Sequence, residues 1–441
     1  MKIGYLAAGF PWLSETFVVN DVRGLEALGH EVTVFALGQA DPATEGNPNY
    51  AIRGKIVRIK GLSGNPLARK WTKIAALRRL LRTFDPKARS HFQQDYHEKP
   101  PGMPDGLWAD RKTWEAGLEQ IAEEKCDWLY VHFAMRQLQL GFWASRLLNL
   151  PLGVTLQAHD IFTNPNSGWF DWTLGQCRAV VTVSQYNRQA ILKMTPALDP
   201  AKVHVLANGI DLEKFHAAPH DPHKPFRFAG TGRLVEIKGF HVLVEAVGLL
   251  AKTRRDFTVK IIGEGPLRAE LEARIQALGI GDLFELLGKR DATFLSEFLP
   301  DQDAFVLPCV IAKDGNRDGM PLALREGMAC GLPALSTQLL GLHETVSPGT
   351  GLLVTPDDAQ ALADGMSALI DLPVDDYRTM ASAARAKAEA EFSLEHEVST
   401  IAAWMADKPQ KVNHEDTKAR IREEENEDRG RGLHTEVLRR I

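Results

Sequence analysis

Three short stretches in the second half of the chain carry residue types that can act on an anion. In Gly230-Thr231-Gly232-Arg233-Leu234-Val235-Glu236-Ile237-Lys238-Gly239, a strand-like run ends in glycines. An arginine and a lysine then stand five positions apart before a helix opens. A guanidinium is a planar fork and an ammonium a point charge, so such a loop can surround a diphosphate together with its own amides. A second stretch runs from Asp318 to Pro333 (DGMPLALREGMACGLP) after an apolar strand at 305–308. Pro321 suits the first turn of a helix, and the free amides of Gly319, Met320 and Leu322 would then point outward toward a negative charge. Asp318 and Glu326 are eight apart, which puts one at the helix mouth and the other about a turn inside. Gly263-Glu264-Gly265-Pro266 is a third glycine turn. Either glycine loop alone reads better as an ordinary βα turn with surface charges, and the helix has a capped core helix with surface carboxylates as its plainer alternative; the combination favours an anion site.

The elements that must position these residues alternate in type. An apolar strand at 2–7 is followed by a glycine-proline loop, then by apolar residues at helical spacing over 16–28 and a strand over 31–37. That is a βαβ unit with a right-handed crossover. Further strands are expected at 128–132, 152–156, 179–183 and 203–206, with helices at 138–148 and 185–194. A polar stretch at 217–225, with His220, Asp221, Pro222 and His223, reads as a linker. The alternation then restarts, with strands at 226–230, 258–262, 283–286, 304–307 and 333–336 and helices at 239–251, 267–278 and 322–330. Two such runs imply two Rossmann-like, doubly wound α/β domains, with ligands beyond the carboxyl ends of the strands. The expected division is 1–216 with an insertion at about 61–110, then 217–390, a returning helix at 391–408 and a charged tail at 409–441.

Composition narrows the class. An apolar share of 44% with 25% charged residues is that of a soluble globular chain, and 441 residues favour more than one core. A net charge of −5 gives no reason to expect nucleic acid. Cys126, Cys177, Cys309 and Cys330 show no CxxC spacing, which argues against a zinc site or disulfide framework and suits a reducing compartment. The N-terminus lacks a secretory signal pattern, and no apolar run approaches the roughly 18–20 residues of a spanning helix. The expectation is a cytoplasmic protein, able to sit at the inner face of the plasma membrane without crossing it. Residues 69–89 carry Arg69, Lys70, Lys73, Arg78, Arg79, Arg82, Lys87 and Arg89 among apolar residues at helical spacing. They are a candidate contact for an anionic membrane surface, with a solvated helix as the plain alternative.

The motifs TGRLVEIKGF, IIGEGPL, FVLPC and DGMPLALREGMACGLP resemble those of retaining glycosyltransferases of family 4, which have the GT-B fold: two Rossmann-like domains facing a central cleft. FPWLSETFVVNDVRGLEALGHEVTVF and AHDIF resemble a branch associated with bacterial exopolysaccharide and lipid-linked glycan assembly. The resemblance runs to about residue 406. It implies that Arg233 and Lys238 neutralise a donor diphosphate, Glu326 holds the ribose hydroxyls and Asp318 contacts the transferred sugar. It further implies that His132 points at the donor sugar and that Gly9 lets the backbone approach the phosphate. Gly232, Gly263, Gly319, Met320 and Leu322 would line the donor site, with Lys289 and Arg290 near the base. Glu15, Thr16, His159 and Asp160 are acceptor-side candidates by position. The family usually has glutamate where this chain has Asp318 and glycine where it has Pro321; a shifted helix start could restore the reach of the shorter acid. The resemblance implies a nucleotide-sugar donor, a saccharide or lipid-linked acceptor, no cofactor and no metal. Two alternatives remain from the residues themselves, a GT-B sugar-nucleotide epimerase and a catalytically silent nucleotide-sugar-binding protein. A nicotinamide oxidoreductase would need GxGxxG after the first strand, which is not there.

Overall fold

The structure, a computed structural model, describes residues 1–12, 15–59, 99, 103–110, 114–163, 167–318, 320–339 and 341–406. Two parallel sheets dominate it. The first contains β1 (Lys2–Ala7), β2 (Glu31–Ala36), β3 (Lys55–Arg58), β4 (Trp128–His132), β5 (Leu152–Leu156), β6 (Ala179–Thr182) and β7 (Val203–Val205) in the order β3-β2-β1-β4-β5-β6-β7. The second contains β8 (Phe226–Thr231), β9 (Phe257–Ile262), β10 (Phe284–Gly288), β11 (Ala304–Val306), β12 (Ala334–Thr337) and β13 (Gly351–Val354) in the order β10-β9-β8-β11-β12-β13. The central strands are covered on both faces, so they read as continuous apolar runs and not as alternating ones. All five residues of β4 and of β5 are buried. Each sheet has its own core. Leu6, Val131, Trp143 and Val154 belong to the first, and Phe228, Val259, Leu324 and Met366 to the second.

Strand order decides where a ligand can enter. The winding direction reverses between β1 and β4 in one sheet and between β8 and β11 in the other. The loops leaving such a strand pair diverge to opposite faces and leave a crevice beyond the carboxyl ends. Two of the four edge strands, β3 and β13, were missed from the sequence. They are four residues long, and neither has a buried residue, so they lack the apolar contrast that marks a strand.

The chain closes through its last described helix, Leu394–Ala406. Ile210 exchanges hydrogen bonds with the segment before it, its N–H donating to Phe392 (2.7 Å) and its carbonyl accepting from Leu394 (3.0 Å). Val398 then packs on the Thr16–Ala27 helix at Gly24, where a Cβ would stand 2.5 Å from a Val398 methyl. The helix Asp105–Asp110 falls at the end of the expected insertion. The basic run 69–89 and the charged tail 409–441 lie outside the described residues. No helix among the described residues is long and apolar enough to cross a membrane. All four cysteines are free and buried, and burial pushes each thiol up to about 12.

Candidate active site

In the second sheet, three glycine turns stack at the carboxyl ends of β8, β9 and β10. The Gly232 amide donates to Ile262 (3.0 Å), the Gly263 amide to Gly288 (2.9 Å) and the Leu234 amide to Glu264 (2.9 Å). A Cβ on Gly263 would lie 1.8 Å from the Gly232 carbonyl oxygen, so the loops approach as only glycine permits. One 3₁₀ turn, Glu236–Lys238, then aims Lys238 back toward the loop after β11. Its Nζ donates to Asp318 Oδ2 at 2.6 Å, with the two side chains 12% and 21% exposed. Burial pulls the lysine pKa down, but Asp318 and Cys309 outweigh it and leave the value raised, so the ammonium stays charged. Arg233 is exposed, and among the described residues nothing hydrogen-bonds or ion-pairs its guanidinium.

The helix Leu322–Ala329 starts beside this pair. Pro321 is its N-cap residue (φ −63°, ψ 126°), one position earlier than the first-turn place expected from sequence, and no side chain caps the helix. Its leading amides are therefore available to an anion. Arg325 is fully buried and ties the helix start to the segment after β7, its Nη1 donating to the Asn208 carbonyl (2.7 Å) and Nη2 to the Met320 carbonyl (3.2 Å). Glu326 is 8% exposed. Burial drives its pKa up to about 7, while Arg325, Lys214 and Lys238 pull it back partway. Met320 and Leu322 are half-buried at the helix mouth, and Gly319 lies outside the described residues.

The first sheet presents its own switch point to this one. Glu15 and Thr16 open the helix after β1, both half-buried. Burial raises the Glu15 pKa, and His132 from the first half and Arg233 from the second both pull it down. One carboxylate thus feels groups from both halves. Gly9 has a local reason to be glycine, since a Cβ there would meet Trp12 Nε1 at 2.0 Å and the Gln39 carbonyl at 2.6 Å. His132 ends β4 and is 1% exposed. Its Nδ1 lies 3.0 Å from the Tyr5 hydroxyl and 3.4 Å from Asp21 Oδ2, and its Nε2 lies 3.0 Å from Gln157 Nε2. Phe133, the next residue, sits at φ 71°. That conformation costs a bulky side chain roughly 1–3 kcal/mol and tends to occur where function holds it.

The acceptor-side pair separates. His159 is exposed and shares its Nδ1 with the Thr163 hydroxyl. Asp160 is fully buried, its Oδ2 accepting from the Gln157 amide (2.8 Å) in a capping box for the Ala158–Phe162 helix, and burial raises its pKa to about 7. Its carboxylate serves its own helix and does not line an open surface.

Several bridging residues had no sequence signal. The loop at 41–50 reaches the helix Ala292–Phe298 and the segment after β7, where Asn49 Nδ2 donates to Thr293 Oγ1 (2.8 Å) and Lys214 Nζ to Asn49 Oδ1 (3.0 Å). Lys289 pairs with Asp41 in that loop at 3.5 Å, and Arg290 lies over the Phe294 ring at 5.2 Å. Glu344 accepts from the Gln185 (2.8 Å) and Tyr186 (3.1 Å) amides at the start of the Gln185–Met194 helix. Arg317 covers the Phe162 ring at 4.8 Å. Asx-type turns at Asp41 and Asn47 were visible in principle, but nothing local says what such turns will touch. A group with metal-ligand geometry also assembles among the described residues, His220, His223 and Asp303, with candidate ligand atoms within 4.8 Å of one another. It was not foreseen, because Asp303 is 80 positions from His223. It lies at the amino ends of β8 and β11, away from the glycine loops, with His223 Nδ1 2.8 Å from Asp303 Oδ1.

Comparison with known proteins gives one answer along the chain. Residues 211–387 match the family model "Glycosyl transferases group 1", and residues 87–214 match "Glycosyltransferase Family 4". The WcaL glycosyltransferase assigned to colanic acid biosynthesis in Escherichia coli strain K12 is 28% identical over 403 residues, covering 89% of this chain and 96% of the relative. The amylovoran biosynthesis glycosyltransferase AmsK of Erwinia amylovora is 27% identical, with 89% and 96% covered. Among solved structures, Anabaena Alr3699/HepE in complex with UDP and glucose superposes with a TM-score of 0.67 at 18% identity, covering 92% of this chain and 100% of that one. A glycosyltransferase from Rickettsia africae also gives 0.67, at 17% identity, with 92% and 99% covered.

Proposed function

Since the chain belongs to the group 1 and Family 4 glycosyltransferases with the GT-B fold, we propose that it moves a sugar, with retention of configuration, from a nucleoside diphosphate to a saccharide or lipid-linked saccharide of a bacterial exopolysaccharide. One observation carries the reading. Both topological switch points are furnished with reactive groups, and Glu15 feels His132 from one and Arg233 from the other. The names of WcaL and AmsK supply the exopolysaccharide class, and the UDP and glucose in HepE make a UDP-sugar the first donor to try. An epimerase or a silent binding protein has no comparable support among the relatives.

The residues divide the chemistry between them. When the bond from the anomeric carbon to the diphosphate oxygen breaks, negative charge grows on the leaving group. Arg233, the two Lys238 N–H groups not given to Asp318, and the leading amides of the uncapped Leu322 helix receive it in this reading. The acceptor oxygen bonds the same face of the carbon, and its proton passes to the leaving diphosphate. No covalent carboxylate is required. Asp318, next to Lys238, takes the sugar side, and Glu326 takes the ribose hydroxyls. The two cations assume the work a divalent ion does elsewhere, so turnover is expected to survive a chelator.

The reading is tested by a thermal-shift panel of nucleotide sugars, then by NMR of the product made from the best donor and a lipid-linked saccharide. A product anomer matching the donor supports retention; an inverted anomer overturns it. Glu326 adds a pH test. It must be ionised to accept two ribose hydroxyls, and its pKa of about 7 lies inside the working range. Nucleoside-diphosphate affinity should therefore strengthen as pH rises toward and past 7, and Glu326→Gln should lose that share of the slope. Calorimetric titration with UDP at several pH values checks it. Equal slopes in the two proteins would remove the ribose assignment.

A further inference from the structure

Behind His132 lies a group of acids that the transfer reaction does not use. Asp21, on the helix Thr16–Ala27, is 1% exposed, and Glu397, on the helix Leu394–Ala406, is 4% exposed. Their carboxyl groups face each other closely enough for a hydrogen bond, and Asp21 Oδ1 is buried with no other partner among the described residues. Two carboxylates cannot make that bond, since each would offer only acceptors, so one must carry a proton. The surroundings say which. Glu397 Oε2 accepts from the Gly209 amide, while Asp21 Oδ2 accepts from the Tyr5 hydroxyl at 2.7 Å and stands 3.4 Å from His132 Nδ1. Among the described residues no other donor reaches the buried Asp21 Oδ1, so a Glu397 O–H donating to it completes the set. Burial, followed by the Asp21 charge, pushes the Glu397 pKa well above the ordinary carboxylate range.

The neighbours of the pair are few. Tyr5 and Tyr130 stand on β1 and β4, His132 ends β4, and Arg325 approaches from the Leu322–Ala329 helix. Arg325 lowers the Glu397 pKa without outweighing the burial. The imidazole then has a defined arrangement. A Gln157 amide donating to Nε2 leaves the proton on Nδ1, where the Tyr5 hydroxyl accepts it and donates its own hydrogen bond to Asp21 Oδ2, 3.4 Å from the ring nitrogen. Phe17 and Phe133 pack the ring at 4.9 and 4.8 Å between centroids. The strained Phe133 backbone shows that this placement is held against a cost.

We propose that Asp21 and Glu397, sharing one proton between the first and last helices described, are positioning residues for His132: Asp21 fixes its tautomer and ring plane through Tyr5, and Glu397 keeps a single negative charge there. The last described helix thereby sets the geometry at the donor-sugar side of the cleft. The proposal rests on the glycosyl-transfer reading for its consequence, but not for its structural content.

The test uses the full chain and three variants, Asp21→Asn, Glu397→Gln and Glu397→Ala. Without substrate, ¹⁵N spectra of the histidines (His132 assigned by its loss in His132→Gln) should show an Nδ1–H tautomer in the wild type and in Glu397→Gln. Asp21→Asn should change it, because the amide no longer offers Tyr5 and Nδ1 the same acceptor. Thermal melts should lose stability as pH rises above the ordinary carboxylate pKa, since the folded state holds the Glu397 proton longer than the unfolded one. Glu397→Gln should lose that share of the slope, whereas Glu397→Ala loses the donor and is less stable throughout. With the donor found above, Asp21→Asn should lower kcat roughly 10- to 100-fold, as loss of the group orienting an imidazole does elsewhere, with donor KM within about twofold. Glu397→Gln should keep kcat within about threefold at pH 6.5 and lose the alkaline decline of the wild type. An unchanged His132 tautomer in Asp21→Asn, or a wild-type alkaline limb in Glu397→Gln, overturns the proposal. Absent turnover in every protein, with the tautomer and melt results as expected, counts against the transferase reading and leaves the acid pair standing.

Discussion

Lys238→Ala is expected to lower turnover by roughly 100- to 1000-fold with folding intact, and Arg233→Ala by a similar factor. The arithmetic comes from where charge develops. A cation aimed at the leaving diphosphate acts on the transition state more than on the bound donor, so the loss should fall on kcat more than on KM. The two variants should nevertheless differ. Arg233 is exposed and unengaged, so its loss leaves the surrounding loops as they are. Lys238 holds Asp318 at 2.6 Å, so its loss also frees the acid expected at the sugar, and Lys238→Ala should be the worse of the two. Lys238→Arg should not restore the activity, because a planar fork cannot replace a point charge in a space packed against Gly232, whose Cβ would lie 3.3 Å from Lys238 Cε. Steady-state kinetics with melting curves as a folding control decide it. Undiminished turnover in either alanine variant removes the diphosphate assignment.

Gly239→Ala should cost about 2–5 kcal/mol of stability and most of the activity, although the residue has no side chain of its own to offer a substrate. Gly239 sits at φ 69° between the Glu236–Lys238 turn and the Phe240–Leu250 helix. A Cβ there would stand 1.8 Å from the Pro308 carbonyl oxygen and 2.7 Å from its carbon. Both contacts are backbone, so no rotamer change relieves them. Either the turn carrying Lys238 or the loop after β11 must move, and these hold the two ends of the Lys238–Asp318 pair. Denaturant midpoints and turnover measured together provide the check. A variant with wild-type stability would show that the two loops do not approach as described.

How much was legible depended on the range of the interaction. The glycine loop with Arg233 and Lys238, and the helix with Asp318 and Glu326, are local patterns, and the sequence reading put each after a strand. Strands 128–132 and 152–156 and the helix 185–194 were read with the boundaries the structure has, because the strands are continuous apolar runs between polar residues and the helix opens at a capping serine, Ser184. His132 was legible as a histidine at a strand end, but not as a ring with both nitrogens engaged. Asp160 stood next to His159 in the sequence, yet one is fully buried and the other exposed. Adjacent residues on a short helix point to different faces, and only packing says which face is covered.

The amino-acid order by itself determined the alternation of strand and helix, the glycine turns where backbones must approach, and the positions of the charges proposed to hold an anion. All of these follow from propensity and from contacts within about ten residues. Strand order was decided only in three dimensions, and with it which loops share a crevice. The Lys238–Asp318 pair spans 80 positions and the Gly209–Glu397 contact 188. Contacts of that length depend on β4 lying beside β1 and β11 beside β8, and on the last helix returning to Gly24. They are set by burial of whole faces, which no short stretch of residues encodes.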